Sequence, residues 1–308
     1  MKSGSSSSAA TTLSDAQTQE LRAAAGTGAK RGTSAFLALI STLALAGGDT
    51  SAFVPSGNHN VSNWADLVTA AAAATSGQTI RITDRAVITQ TAQLVLKEGV
   101  SIKAGGGVTW VSNYSPTNNT SADQALILMS SSAEGTAGNQ TIENIAFLGN
   151  NYQAASAIYV RGRSGVKVKN CTAHDFNSSF VTFNGRANET DGAATTKATG
   201  NGVYNCASAG CCTWIGAKPG GYASGIVQWG SQIGFELRDS VIIAKGRGST
   251  NNGYGTKYYR LGYNELTLIE NCTIRKDVDD GTSSNFGFAI ETWNDNALTI
   301  RGCTLEGW

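Results

Sequence analysis

The segment AKGRGSTNNGYGTKYYRLG, residues 244–262, interleaves four cations with three tyrosines. A lysine or arginine whose pKa is lowered by neighbouring positive charge can abstract the proton next to a sugar carboxylate, while a second cation neutralises that carboxylate. We therefore predict Lys257 and Arg260 as catalytic residues of a polysaccharide lyase. Lys245, Arg247 and Tyr258 would bind the substrate. The alternative is a solvated basic loop without a catalytic role.

A second segment, FAIETWND at residues 288–295, combines a carboxylate with a tryptophan on an alternating strand pattern. If Ile290 points inward, Glu291 points outward, and Trp293 could stack on a sugar ring. Glu291 is the third predicted catalytic residue, and it would act with Asp295 or Glu270 as the carboxylate pair of a glycosidase. The alternative is that Glu291 and Trp293 are surface side chains of a strand without a role in binding or catalysis.

Three aspartates in DVDDG at residues 277–281 resemble the start of a calcium-binding loop. Asp277, Asp279 and Asp280 are the predicted calcium ligands, although the distal glutamate of the EF-hand pattern is absent. Calcium is the one cofactor that the sequence suggests.

One of the two histidines, His174, stands beside Asp175 just after a strand pattern. Such a histidine could serve as a general base, because its pKa lies near neutrality. The alternative is a turn histidine without a catalytic role.

The elements that must position these residues are built from a repeat. A short motif with a polar second position recurs with its third residue at 145, 171, 206, 240, 272 and 303, in steps of 26, 35, 34, 32 and 31 residues. Each copy follows an alternating apolar run such as Val166–Val168 or Leu266–Leu268, which indicates a strand with one buried face. Self-similarity at this period is typical of stacked repeats.

Several short strands per repeat, 37 glycines, 3 prolines and no convincing helical period after about residue 76 favour an all-β fold. We predict a right-handed parallel β-helix solenoid in which each repeat forms one coil. Coils stacked ~4.8 Å apart place equivalent side chains above one another. The second motif position would then form an asparagine ladder with left-handed backbone, made of Asn144, Asn170, Asn205, Asp239 and Asn271.

The third motif position would form an inward stack of small side chains, in which cysteine acts as a small hydrophobe. Its members are Ile145, Cys171, Cys206, Ser240, Cys272 and Cys303. The four aligned cysteines are 31 to 66 residues apart, which matches no zinc-binding pattern. We expect the ladder asparagines to be buried, so that the sequons at Asn170 and Asn271 would not be glycosylated.

The chain from about residue 61 onward resembles the pectin-lyase-like right-handed β-helix superfamily. Residues 61–83 resemble its N-terminal capping helix, turn and first strand, and residues 93–110 resemble its first full coil. The resemblance implies a site on one outer face, in a groove walled by the longer loops. Members of this superfamily include lyases, hydrolases, epimerases, phage tailspikes and adhesins, so the resemblance carries fold better than function.

The two ends differ from the repeats. Residues 1–52 are predicted to form a flexible arm, with an apolar run at 35–46 that fits either a cleaved leader for a secreted or surface protein or a retained attachment helix. The sequence SAFVPS at 51–56 also resembles the cleavage motif of an algal plastid leader. The predicted solenoid occupies residues 53–308. It stops without a cap, which we interpret as a C-terminally incomplete domain.

A net charge of +1 with 15% charged residues argues against nucleic acid as a partner. The leading hypothesis is therefore a surface or secreted protein that binds a polysaccharide or surface glycan and cleaves it as a lyase or glycosidase. One alternative is a phage tailspike or tail fibre, a homotrimeric virion component attached through its N-terminal arm. The other is a structural adhesin without catalysis.

Overall fold

Short strands recur along the chain, and each pairs in parallel with its counterpart one repeat later. The computed structural model describes residues 59–116, 123–150, 154–185, 196–211, 224–244, 247–252, 263–276 and 288–308. Within these ranges the chain winds through successive coils stacked at the ~4.8 Å spacing of parallel strands. The predicted all-β parallel β-helix is confirmed.

The strands, in chain order, are β1 His59–Val61, β2 Thr79–Ile82, β3 Val87–Gln90, β4 Leu94–Val95, β5 Ser101–Ser112, β6 Ala125–Ser130, β7 Thr136–Ala137, β8 Thr141–Leu148, β9 Ser156–Arg161, β10 Arg163–Ser164, β11 Lys167–Lys169, β12 Thr172–His174, β13 Ser179–Asn184, β14 Ala198–Thr199, β15 Gly202–Tyr204, β16 Ala207–Cys211, β17 Ser224–Trp229, β18 Gln232–Ile233, β19 Glu236–Arg238, β20 Val241–Ala244, β21 Arg247–Asn252, β22 Asn264–Glu265, β23 Leu268–Glu270, β24 Thr273–Lys276, β25 Ile290–Trp293, β26 Asp295–Asn296, β27 Thr299–Arg301 and β28 Thr304–Glu306. One helix, α1 Trp64–Ala73, lies between β1 and β2.

Successive coils pass through the same sheets in the same order. Sheet A has two halves: a first half with β11, β15, β19, β23 and β27, and a second half with β12, β16, β20, β24 and β28. The long strands β5 and β8 run through both halves. Sheet B contains β4, β6, β9, β13, β17, β21 and β25, and sheet C contains β14, β18, β22 and β26. The strands β7 and β10 form a separate pair.

Helix α1 packs against the first coil, in the place that the sequence predicts for it. Asn63 caps its N-terminus by accepting a hydrogen bond from the backbone N–H of Asp66 at 3.0 Å. Leu67 on its inner face is fully buried in the core of the solenoid. Trp64 then contacts Trp110 edge-on, with ring centroids 6.4 Å apart, so the helix joins the aromatic core of the first coils.

The bend between the two halves of sheet A is made by the predicted asparagine ladder. Asn144, Asn170, Asn205, Asp239 and Asn271 have φ between 49° and 63°, and Gly302 has φ 62°. Asn205 donates a hydrogen bond to Asn170 at 2.8 Å, and Asn271 donates one to Asp239 at 3.2 Å. The expectation that this ladder is buried is wrong. Asn205 and Asn271 are exposed, because the bend turns the second motif position toward solvent.

The third motif position forms the predicted inward stack. Cys171, Cys206 and Cys272 are buried, with Ser240 between the last two. Each thiol donates to the carbonyl two residues before it, at 3.1 to 3.2 Å. The Ser240 hydroxyl does the same at 2.7 Å. The carbonyls of Tyr204, Arg238 and Glu270 also accept a backbone N–H from the neighbouring coil. The small side chain thus places its single donor on an acceptor inside the core.

A second left-handed column, which the sequence analysis did not identify, lies just before the first half of sheet A. Register aligns Gly165 with Gly200, Gly234, Leu266 and Ala297, and all five have φ between 56° and 71°. Glycine is the usual residue for this backbone conformation. Leu266 and Ala297 adopt it against the steric preference of a side chain.

Candidate functional site

Most of the predicted site residues lie outside the described residues. These are Lys245, Lys257, Tyr258, Arg260, Asp277, Asp279 and Asp280. Arg247 is the first residue of β21 and pairs with Ser224 in sheet B. Their predicted roles in catalysis, substrate binding and calcium binding therefore stay predictions.

Glu291 lies on the outer face of sheet B, as predicted, because Ile290 packs against the core. Parallel register places Glu291 beside Thr250 and Trp293 beside Asn252. The proposed carboxylate partners are elsewhere: Glu270 lies in sheet A and Asp295 in sheet C. The carboxylate of Glu270 also accepts hydrogen bonds from two arginines. The predicted glycosidase pair of Glu291 with Glu270 or Asp295 would thus join strands of different sheets, and it stays a prediction.

His174 and Asp175 form a pair where the second half of sheet A ends. His174 Nδ1 lies 2.8 Å from Asp175 Oδ2. Asp175 has φ 63°, and the neighbouring coils carry Gly149 and Gly210 beside it. A Cβ at Gly210 would lie 2.8 Å from Asp175 Oδ1. This geometry orients the imidazole.

A row of mostly charged side chains lies on the first half of sheet A. We call it the charged ladder. Parallel register stacks its members one per coil: Lys103, Glu143, Lys169, Tyr204, Arg238, Glu270 and Arg301. A second row lies beside the charged ladder, two residues earlier in each coil, and it includes Lys167, Gly202 and Glu236.

Tyr204 is the centre of a cluster that joins the two rows. Lys167 Nζ donates to Tyr204 Oη at 2.8 Å, and Tyr204 Oη donates to Glu236 Oε2 at 2.9 Å. Lys169 Nζ lies 5.9 Å from the centre of the tyrosine ring. A Cβ on Gly202 would lie 2.5 Å from the phenol oxygen. The glycine therefore leaves the space in which the phenol reaches both partners.

The environment of this cluster changes the acidity of two groups in opposite directions. Partial burial lowers the pKa of Lys167, and the positive charges of Lys169 and Arg238 lower it further, while Glu236 opposes them. Burial and the hydrogen bond to Glu236 raise the pKa of Tyr204. Lys167 therefore loses its proton more readily than an ordinary lysine and is more available as a neutral amine, and Tyr204 stays protonated.

This arrangement can carry out the chemistry that the sequence analysis assigned to residues 244–262. It contains an amine with a lowered pKa, a phenol within hydrogen-bond distance of that amine, and the additional cations Lys169 and Arg238. The sequence feature that indicated this cluster was the alternation of apolar and polar residues at 166–170, which places Lys167 and Lys169 on the same face of the strand. Its significance was missed because Tyr204 is 37 residues from Lys167 and joins it only through coil stacking.

Among the described residues, no group of three or more possible ligands could hold a metal ion. The described part of the chain also contains no helix that is long and apolar enough to cross a membrane.

No protein-family model and no curated protein sequence matches the chain. Among solved structures, the polygalacturonase from Erwinia carotovora ssp. carotovora aligns with a TM-score of 0.50 at 11% identity, over 84% of this chain and 74% of that one. An alginate lyase from Paenibacillus sp. str. FPU-7 aligns with a TM-score of 0.45 at 11% identity, over 80% of this chain and 95% of its own. The likeness to the polygalacturonase is one of fold, and it agrees with the right-handed parallel β-helix that the chain adopts.

Proposed function

We propose that this protein binds an acidic polysaccharide on the first half of sheet A and cleaves it by β-elimination beside Lys167 and Tyr204. The observation that carries the proposal is the 2.8 Å hydrogen bond between the Lys167 amine and the Tyr204 phenol inside a cationic cluster. The similarity of fold to a polygalacturonase agrees with an acidic polysaccharide as the substrate.

The two residues can complete a balanced proton cycle. Neutral Lys167 takes the proton from the carbon next to the uronate carboxylate. The bond to the glycosidic oxygen breaks, a carbon–carbon double bond forms, and Tyr204 gives its phenolic proton to the departing oxygen. The proton on Lys167 then passes to the phenolate along their hydrogen bond, which restores both groups.

The surrounding charges support both steps. Lys169 can neutralise the carboxylate, which makes the neighbouring proton more acidic and stabilises the charge that develops as that proton leaves. Glu236 accepts the phenolic hydrogen bond and keeps Tyr204 protonated until the leaving group arrives. Lys257 and Arg260 stay predicted catalytic residues, and their alanine variants are tested in the same assay.

The test is a panel of acidic and neutral polysaccharides incubated with the full chain, with absorbance of the unsaturated sugar product as the readout. We expect product from one acidic glycan, and a loss of at least about 100-fold in rate for Lys167→Ala and for Tyr204→Phe. Arg275→Ala on the second half of sheet A is the matched control. Product that persists in both variants would contradict the assignment. Binding without any product would instead indicate a binding protein or adhesin.

Two further expectations concern the whole protein. We propose that it acts outside the cell or at a surface, and N-terminal sequencing of native material would distinguish a cleaved leader from a retained arm. The homotrimer expected of a tailspike would be shown by the mass of the full chain in light scattering. A monomer would remove that alternative.

A further inference from the structure

We propose that the charged ladder selects linear glycans in which an acidic sugar alternates with a neutral one. This inference rests on the proposed function, because it names the substrate class of the same surface. The observation behind it is the order of charges along the solenoid axis.

From the third described coil onward, the ladder places a cation on every second coil. Its cations from that coil onward are Lys103, Lys169, Arg238 and Arg301, and the residues between them are Glu143, Tyr204 and Glu270. The coil before Lys103 carries Arg81 in the same row, so the alternation begins at Lys103. Each residue is the direct register partner of the next. The alternation is therefore a property of the stacked coils and not of any one strand.

The spacing of the cations fits a disaccharide. Two coils advance by roughly 10 Å along the axis, which is comparable to the length of two linked pyranose rings in an extended glycan. A glycan lying along the axis would thus place every second sugar beside a cation. The sugars between them would face a glutamate, or the ring of Tyr204 on which a neutral sugar can stack.

The exposure of the side chains supports an outward-facing role for the cations. The side chains of Lys103, Arg238 and Arg301 are 51%, 34% and 62% exposed, whereas those of Glu143 and Glu270 are 23% and 16% exposed. The acids form ion pairs with the cations, with Lys103 Nζ 3.4 Å from Glu143 and Arg238 Nη1 3.1 Å from Glu270. Arg238 Nη2 also lies 3.0 Å from Glu236 in the adjacent row. The cations are therefore held in position while their outer surface stays open to a ligand.

The intervening glutamates provide discrimination by repulsion. A glycan with a carboxylate on every sugar would place half of its charges beside Glu143 and Glu270, which disfavours it. A glycan with one carboxylate per disaccharide avoids these contacts and keeps the attractive ones. The charged ladder therefore distinguishes two glycans of equal length by how often a carboxylate occurs along the chain.

The test uses the full chain and two sets of oligosaccharides of equal length, from hyaluronan with one carboxylate per disaccharide and from polygalacturonate with one per sugar. Kd values are measured by calorimetry at fixed ionic strength. We expect hyaluronan oligosaccharides to bind at least about tenfold more tightly. In the double variant Glu143→Gln, Glu270→Gln that preference should fall below about threefold, because polygalacturonate binds better. Glu306→Gln, on the second half of sheet A, makes the same charge change away from the ladder and should keep the preference.

The outcomes separate this inference from the proposed function. Equal binding of both sets by the native protein, or an unchanged preference in the double variant, overturns the charge-periodicity inference and leaves the elimination chemistry standing. Binding of neither set removes both. Because the double variant can also lose stability, its thermal midpoint is measured first, and single variants replace it if the fold is lost.

Discussion

Replacing the buried Arg163 tests how much its hydrogen bonds contribute to the stability of the solenoid core. Arg163 is 3% exposed. Its Nε donates to Ser131 Oγ at 2.9 Å, its Nη1 to the Leu96 carbonyl at 2.9 Å and to Gln140 Oε1 at 2.7 Å, and its Nη2 to the Ser130 carbonyl at 3.0 Å. One side chain thus satisfies acceptors from several coils.

Replacing Arg163 by leucine removes every one of these donors. Three of the acceptors, the carbonyls of Leu96 and Ser130 and the amide oxygen of Gln140, would lose this partner in the interior, and each unpaired buried group costs about 1–3 kcal/mol. Removing a buried charge relieves a desolvation penalty and offsets part of this loss. We expect a net loss of about 3 kcal/mol in the free energy of unfolding.

The measurement is urea denaturation of the native chain and the Arg163→Leu variant, followed by tryptophan fluorescence, with comparison of midpoints at equal slope. Arg301→Leu is the control, because its side chain is 62% exposed and its exposed ion pair should be worth less than about 1 kcal/mol. An Arg163→Leu variant as stable as the native chain would show that the hydrogen bonds of Arg163 contribute nothing to the free energy of unfolding.

Three further results follow from the structure. Leu266→Gly should raise the thermal midpoint, with a gain of about 1 kcal/mol in the free energy of unfolding. The reason is that Leu266 has φ 56° in a column that is mainly glycine. A lower midpoint would mean that the contacts of the leucine side chain stabilise the fold by more than the backbone strain destabilises it. Glu236→Gln should move the rising limb of the pH–rate profile to lower pH, because Glu236 raises the pKa of Lys167 and the neutral amine is the base; a shift to higher pH would contradict that role. Burial raises the pKa of Cys206 and Cys272 to about 12, so peptide mapping should find both unalkylated in the native protein at neutral pH and labelled in urea, whereas labelling without denaturant would refute their burial.

Much of the architecture was already determined by the sequence. The motif recurs in steps of 26 to 35 residues and alternates apolar with polar positions, which only a stack of short parallel strands accommodates without helices. The asparagine at the second motif position predicted the left-handed bend, since its short polar side chain tolerates that backbone. The cysteines at the third position predicted the inward stack. The backbone preferences of single residues and the spacing of the repeat favour the same structure, and for that reason these predictions were confirmed.

The composition of the charged ladder was decided by the tertiary structure. Coil lengths differ from step to step, so which outward residue stacks on which depends on the register of each strand. Only that register brings Tyr204 beside Lys167 and places Glu270 between Arg238 and Arg301. The same reasoning applies to the predicted carboxylate pair of Glu291, because proximity in sequence or in coil number does not place two side chains on the same sheet; Glu270 and Asp295 lie on strands of other sheets. The sequence by itself determined which residues point outward; the stacking of coils determined which of them act together, because contacts across coils join residues more than thirty positions apart.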